Sequence, residues 1–177
     1  LNFLQSNLGV VLQTSHIFAG TVRENIRYGQ LSATDDAIRA AAEAAGAAQM
    51  IEQLDQGYDT KIEEGGASLS SGQKQLIAFT RALLKDPQIL IMDEATSSVD
   101  TLTEKRIEQG LRALLKDRIS VIIAHRLSTI RHADQICVLD QGQIIEKGRH
   151  EDLIAIEGKY HALFMQQSLS NLWQHQS

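Results

Sequence analysis

Four short apolar runs limit the architecture more than any other feature of this chain: "LGVVLQ" (8–13), "QILIMD" (88–93), "ISVIIA" (119–124) and "QICVLD" (135–140). Each is rich in Val, Ile and Leu and lacks the polar alternation of a half-exposed strand, so each reads as a β-strand buried on both faces. Between the last three runs the spacing becomes helical. Leu102, Ile107, Leu111 and Leu115 fall on one face, with Glu104, Lys105, Glu108 and Arg112 elsewhere. Strand, helix and strand in succession predict a parallel sheet with crossovers, an α/β fold. "LDQGQIIEKG" sets a Gln-Gly turn between two apolar runs and predicts a hairpin near the sheet edge. The tail "HEDLIAIEGKYHALFMQQ" reads as two short helices separated near Gly158.

Residues 21–60 follow different rules. "SATDDAIRAAAEAAGAAQMIEQL" is Ala-rich, offers Ser32 and Thr34 as caps and holds no strand-like run, so this block reads as helical. The lone proline, Pro87, follows "RALLKD" and ends that helix before the next strand begins. A chain of 177 residues with 43% hydrophobic and 22% charged residues can bury an ordinary core and corresponds to one domain, or most of one. The formal charge of -5 argues against nucleic-acid binding through a broad basic surface. Cys137 is the single cysteine, allows no intrachain disulfide and reads as a small apolar strand residue, which fits a reducing compartment. No uninterrupted apolar run approaches the ~18 residues needed to cross a bilayer.

Several residues at the ends of these elements have the chemistry of a phosphate site. "LSSGQ" (69–73) is a Ser/Gly turn opening the helical run "KQLIAFTRALLK", so unpaired backbone amides and the positive end of the helix dipole face outward, as suits a phosphate. A plain Ser N-cap explains the same residues. "QILIMDE" brings Asp93 and Glu94 to the C-terminal end of an apolar strand, the edge at which open α/β sheets bind ligands. Asp93 is a hard oxygen ligand matched to Mg²⁺, and Glu94 beside it can orient or deprotonate a water. An inert, solvated acidic turn is the alternative. His125 stands just past the end of "ISVIIA", where an imidazole can contact a γ-phosphate or the attacking water, or merely cap a carbonyl. Gln13 ends its own strand with a neutral side chain able to reach both metal and water.

In this order and spacing the residues resemble the ATP-binding-cassette (ABC) transporter family along essentially the whole chain. Gln13 is similar to the Q-loop, "LSSGQ" to the signature motif, "ILIMD" to the Walker B strand with Glu94 as its catalytic carboxylate, "SSVD" (97–100) to the D-loop and His125 to the switch histidine. The resemblance implies a P-loop NTPase-like parallel sheet core with an inserted helical subdomain. It places the helical subdomain and signature at 14–86, the sheet core with Walker B and the switch histidine at 87–148, and C-terminal helices at 149–177. It implies ATP and Mg²⁺ as cofactors, with Glu94, His125 and Gln13 catalytic and Asp93 and Gln13 on the metal. Ser70, Ser71, Gly72 and Gln73 would contact ATP held by a partner subunit, and Asp100 would bridge the two. The implied partners are a second ABC ATP-binding domain and the transmembrane domains of a transporter, at the cytoplasmic face of the cell membrane, with no nucleic acid.

"IFAGTVRENIRYG" (17–29) and "YDTKIEEGGASLSSGQ" (58–73) resemble the exporter branch of the family. Ser71 stands where the commonest signature has glycine, adding a hydroxyl and backbone restriction, and Glu63 replaces a more usual glycine in the preceding loop. No G-x-x-x-x-G-K-[ST] occurs; the only Gly-Lys pair, Gly158-Lys159, is followed by Tyr160. The phosphate cradle and the adenine-stacking aromatic of the family lie upstream of the Q-loop, so the expectation is an ATP-binding domain with its N-terminal part missing. By itself such a chain is expected to be inactive. A non-transport ABC ATPase module and a non-catalytic fragment are the competing readings.

Overall fold

The computed structural model describes residues 7–13, 15–93, 101–124 and 127–174. The chain forms two compact units, Leu1–Ile123 and Ala124–Ser177. The segment expected as the sheet core, 87–148, contributes residues to both units.

In the first unit, β1 (Leu8–Val11), β4 (Ile89–Asp93) and β5 (Ile119–Ile123) form a parallel sheet in the order β1-β4-β5, as the strand–helix–strand pattern predicts. The helices Ser71–Lys85 and Thr101–Leu115 supply the crossovers. Val11, Leu90 and Met92 share one core with Leu76, Ile77, Phe79, Ile107, Leu111 and Leu114. The expected burial on both faces does not hold. Burial alternates along β1 and β4, and Val10, Ile91, Val121 and Ile123 are exposed, because the crossover helices cover one face and no described element of this unit covers the other. Leu102, expected on the apolar face of its helix, is exposed too, whereas Ile107, Leu111 and Leu114 carry the contact.

The helical block holds Val22–Arg27, Asp35–Ala44, Ala48–Glu52 and a 3-10 turn at Gly57–Asp59. Thr34, not Ser32, is the N-cap, accepting from the Ala37 amide at 3.3 Å. The Ala-rich run breaks at Gly46, whose φ of 70° no ordinary helix tolerates. A minimal antiparallel pair, β2 (Gly20–Thr21) with β3 (Lys61–Ile62), ties the two ends of the block together. It is too short to leave a periodic signature.

In the second unit, β6 (Ile136–Asp140) and β7 (Gln143–Gly148) pair antiparallel through a turn in which Gln141 and Gly142 both have positive φ. This is the hairpin expected from "LDQGQ", but it takes β6 out of the parallel set. Cys137 faces outward on β6 as a free, exposed thiol and not as a core residue. The tail folds as two helices, His150–Ala155 and Lys159–Gln174, with the break at Glu157-Gly158. Glu146 on β7 caps the second, accepting from the Lys159 and Tyr160 amides at 2.5 and 2.9 Å.

Candidate functional site

The strand register sets the frame. Val11 stands beside Met92 and Met92 beside Ile122, so Gln13, two residues past β1, and Asp93, the last residue of β4, leave the sheet at the same C-terminal edge. Asp93 is half-buried and Gln13 exposed. Val11 and Met92 are buried beneath them, which fixes the height at which the following side chains emerge. Glu94, Asp100 and His125 lie outside the described residues. Among the described residues no group of three or more His, Cys, Asp or Glu could hold a metal ion.

The signature residues begin the helix Ser71–Lys85. Ser70 is its N-cap in a reciprocal capping box: its Oγ accepts from the Gln73 amide at 3.2 Å, and Gln73 Oε1 accepts from the Ser70 amide at 2.8 Å. The Lys74 amide donates to the Ser70 carbonyl at 3.0 Å. Ser71 and Gly72 hold the first-turn amides that have no partner within the helix. Gly72 is buried and Ser71 exposed. The cap reading of "LSSGQ" is thus seen directly: the side chains of Ser70 and Gln73 cap the helix.

The helix then runs back along β1. Lys85 donates to the Leu8 carbonyl at 2.7 Å, beside the start of that strand. Asp86, at φ 49°, terminates the helix in the left-handed region, and Pro87 follows as anticipated. Arg118 braces this junction, donating to the Pro87, Ala113 and Leu114 carbonyls and pairing with Asp86 at 2.6 Å.

Two residues with no motif to announce them hold the segment after Gln13. Asn25, fully buried, accepts from the Phe18 amide at 2.9 Å and donates to the Phe18 and Thr21 carbonyls at 2.9 and 3.0 Å. Arg81, on the signature helix, reaches the His16 and Asn25 carbonyls. Burial draws its pKa below the ordinary arginine value. The only hint in the sequence is position: Arg81 lies on the inward face next to Thr80, and Asn25 is an uncharged amide among the charges of "TVRENIR". On the surface beyond, Arg23 bridges Asp35 and Asp59, and its hydrogen bond holds the Asp59 carboxyl below its ordinary range.

Comparison with known proteins bears on this arrangement. The family profile described as ABC transporter matches residues 1–97. An ABC transporter ATP-binding protein of Bacillus subtilis, YfiC, is 54% identical over 164 residues, covering 93% of this chain and 27% of the relative. The ATP-dependent lipid A-core flippase of Desulfotalea psychrophila is 47% identical over 166 residues, covering 94% of this chain and 29% of the relative. Among solved structures, a bacterial Atm1-family ABC exporter with ATP bound superposes with a TM-score of 0.85 at 44% identity, over 94% of this chain and 29% of that one. The chain spans about a quarter to three tenths of the length of these relatives.

Proposed function

The chain belongs to the ABC transporter family, and from that premise we propose that it forms part of the ATP-binding domain of an exporter, whose ATP binding and hydrolysis drive movement of a substrate across a membrane. The observation that supports this reading is the strand register, in which Val11 pairs with Met92, so that Gln13 and Asp93 both follow at the C-terminal edge of the sheet. The residues immediately after β4 and β5 include Glu94 and His125.

The roles follow from chemistry at that edge. Asp93 offers a hard carboxylate oxygen to Mg²⁺, and Gln13 a neutral amide able to serve metal or water. One or two protein oxygens suffice, because a nucleotide-borne Mg²⁺ keeps its phosphate and water ligands. Bound there, Mg²⁺ neutralises charge on the transferring phosphate. Glu94 accepts a proton from the attacking water, and His125 donates to the γ-phosphate or steadies that water. At the other end of the chemistry, Ser71 and Gly72 present first-turn amides to the triphosphate of a partner copy, with Ser70 and Gln73 holding the turn rigid and Asp100 bridging the copies.

The partners in this reading are a second ABC ATP-binding domain and the transmembrane domains of the transporter, and the location is the cytoplasmic face of the cell membrane. No helix among the described residues is long and apolar enough to cross a membrane.

The test is Glu94→Gln in the full-length protein that carries this chain. Hydrolysis falls roughly 10²- to 10⁴-fold, the usual worth of a general base, while ATP binding survives. Hydrolysis within about twofold of wild type would reduce Glu94 to an acidic strand end.

A further inference from the structure

Arg81 takes its charge into the protein with no carboxylate among the described residues to meet it. Its Nε donates to the Asn25 carbonyl at 2.8 Å, Nη1 to the His16 carbonyl at 2.9 Å and Nη2 to Asn25 Oδ1 at 3.1 Å. Its guanidinium carbon lies 5.3 Å from the centroid of the Phe18 ring. All of these partners sit between residues 16 and 25, and none is on its own helix. A partly desolvated guanidinium is unfavourable unless its donors are satisfied, and here satisfaction comes from the backbone and amide dipoles of one short stretch. Asn25 grips the same stretch from the other side, its Oδ1 accepting from both Phe18 and Arg81. The planar fork meets acceptors on two residues, His16 and Asn25, at once, which a lysine cannot do with the same geometry.

That stretch begins just after Gln13, and Arg81 lies on the helix that starts with the signature turn. We propose that Arg81 is a positioning residue, tying the segment that follows Gln13 to the signature helix so that a displacement at Gln13 is carried to Ser70–Gln73. About 16 Å of helix separates Arg81 from Ser70 at 1.5 Å per residue, short enough to move as a rigid rod. The proposal rests on the ATPase reading above. It goes beyond it by making one side chain the mechanical joint between two halves of the chemistry.

Two variants of the full-length protein test it. Arg81→Met keeps the stem and removes every donor; Arg81→Lys keeps the charge and loses the fork, and serves alone if the first does not fold. Hydrogen exchange of amides 16–20 speeds up about tenfold or more in Arg81→Met, while the Leu76, Ile77 and Phe79 amides stay within about twofold. In the same variant kcat for ATP falls about tenfold with KM within about twofold, as expected when a group acts after binding. Arg81→Lys recovers only part of either. Unchanged exchange over 16–20 in both variants overturns the tether. Faster exchange with unaltered kcat overturns the coupling. Faster exchange throughout the signature helix, with KM and kcat shifting together, marks a general stabiliser and also overturns the proposal. A wild-type protein without ATPase activity refutes the ATPase reading and the coupling built on it, while the exchange measurement still decides the tether.

Discussion

Ser70 has one hydroxyl and two claims upon it. The sequence leaves helix cap and phosphate contact as rivals, and the structure places the Oγ on the Gln73 amide, with Gln73 reciprocating. The cap predicts a stability effect and the phosphate site a functional one, so two substitutions separate them. Ser70→Ala removes the cap and lowers stability by about 1 kcal/mol, read as a lower urea midpoint. Ser70→Asp keeps a capping oxygen and adds a charge that the helix dipole favours, so its midpoint stays within about 0.5 kcal/mol of wild type. It also sets a carboxylate where a phosphate would sit, and hydrolysis by the full-length protein falls tenfold or more, by about the worth of a lost oxyanion donor. Wild-type hydrolysis in a well-folded Ser70→Asp variant would leave the cap as the only role. At this scale motifs directed sequence reasoning to Gln13 and Asp93, which the strand register brings to one sheet edge, and it passed over Arg81 and Asn25. A long-range hydrogen bond between residues 25 and 81 has no local pattern to betray it.

The elements were legible where local chemistry decides them. Thr34 caps its helix, Asp86-Pro87 ends the signature helix, and Gln141-Gly142 turns a hairpin, each from residues within one or two turns. Burial was less legible, because an uninterrupted apolar run says that a strand avoids water and not which element covers each face. Gly110 shows the same divide. It sits inside the unbroken helix Thr101–Leu115, and the reason is remote: a Cβ there would stand 2.5 Å from the Ala45 carbonyl oxygen and 3.1 Å from Phe79. The Ala45 amide donates a hydrogen bond to the Ala41 carbonyl at 3.0 Å, so the Ala45 carbonyl cannot retreat freely. Gly110→Ala gains about 1 kcal/mol in helix propensity and loses about 1 to 3 kcal/mol to overpacking. The expected sum is a modest destabilisation, measured as a lower urea midpoint with unchanged m-value. A more stable variant would mean that the two helices can part without loss.

At the scale of the molecule, periodicity identified β6 as a strand and put it with the parallel set, whereas the Gln141-Gly142 turn correctly named β7 as its partner. The chemistry is divided as well. Gln13 and Asp93 share a sheet edge, whereas the signature turn opens a helix whose far end, at Lys85, lies beside the start of β1. Such a division has a purpose if the turn serves another copy's nucleotide, and this can be tested with residues of this chain alone. In a homodimeric full-length protein, let one subunit carry Gly72→Asp and the other Glu94→Gln. If sites are composite, the subunit with intact Glu94 receives the intact signature of its partner, and one complete site survives while the other loses both halves. If each subunit works alone, neither site is complete. Nucleotide turnover by purified mixed dimers, measured against both single-mutant homodimers, gives the answer. Composite sites leave activity about half that of wild type, well above the homodimers, where loss of the general base alone amounts to roughly 10²- to 10⁴-fold. Mixed dimers that assemble and yet turn over no faster than the homodimers would confine the signature to its own chain, because intact Glu94 and intact Gly72 would then have been present in one molecule without meeting at one phosphate.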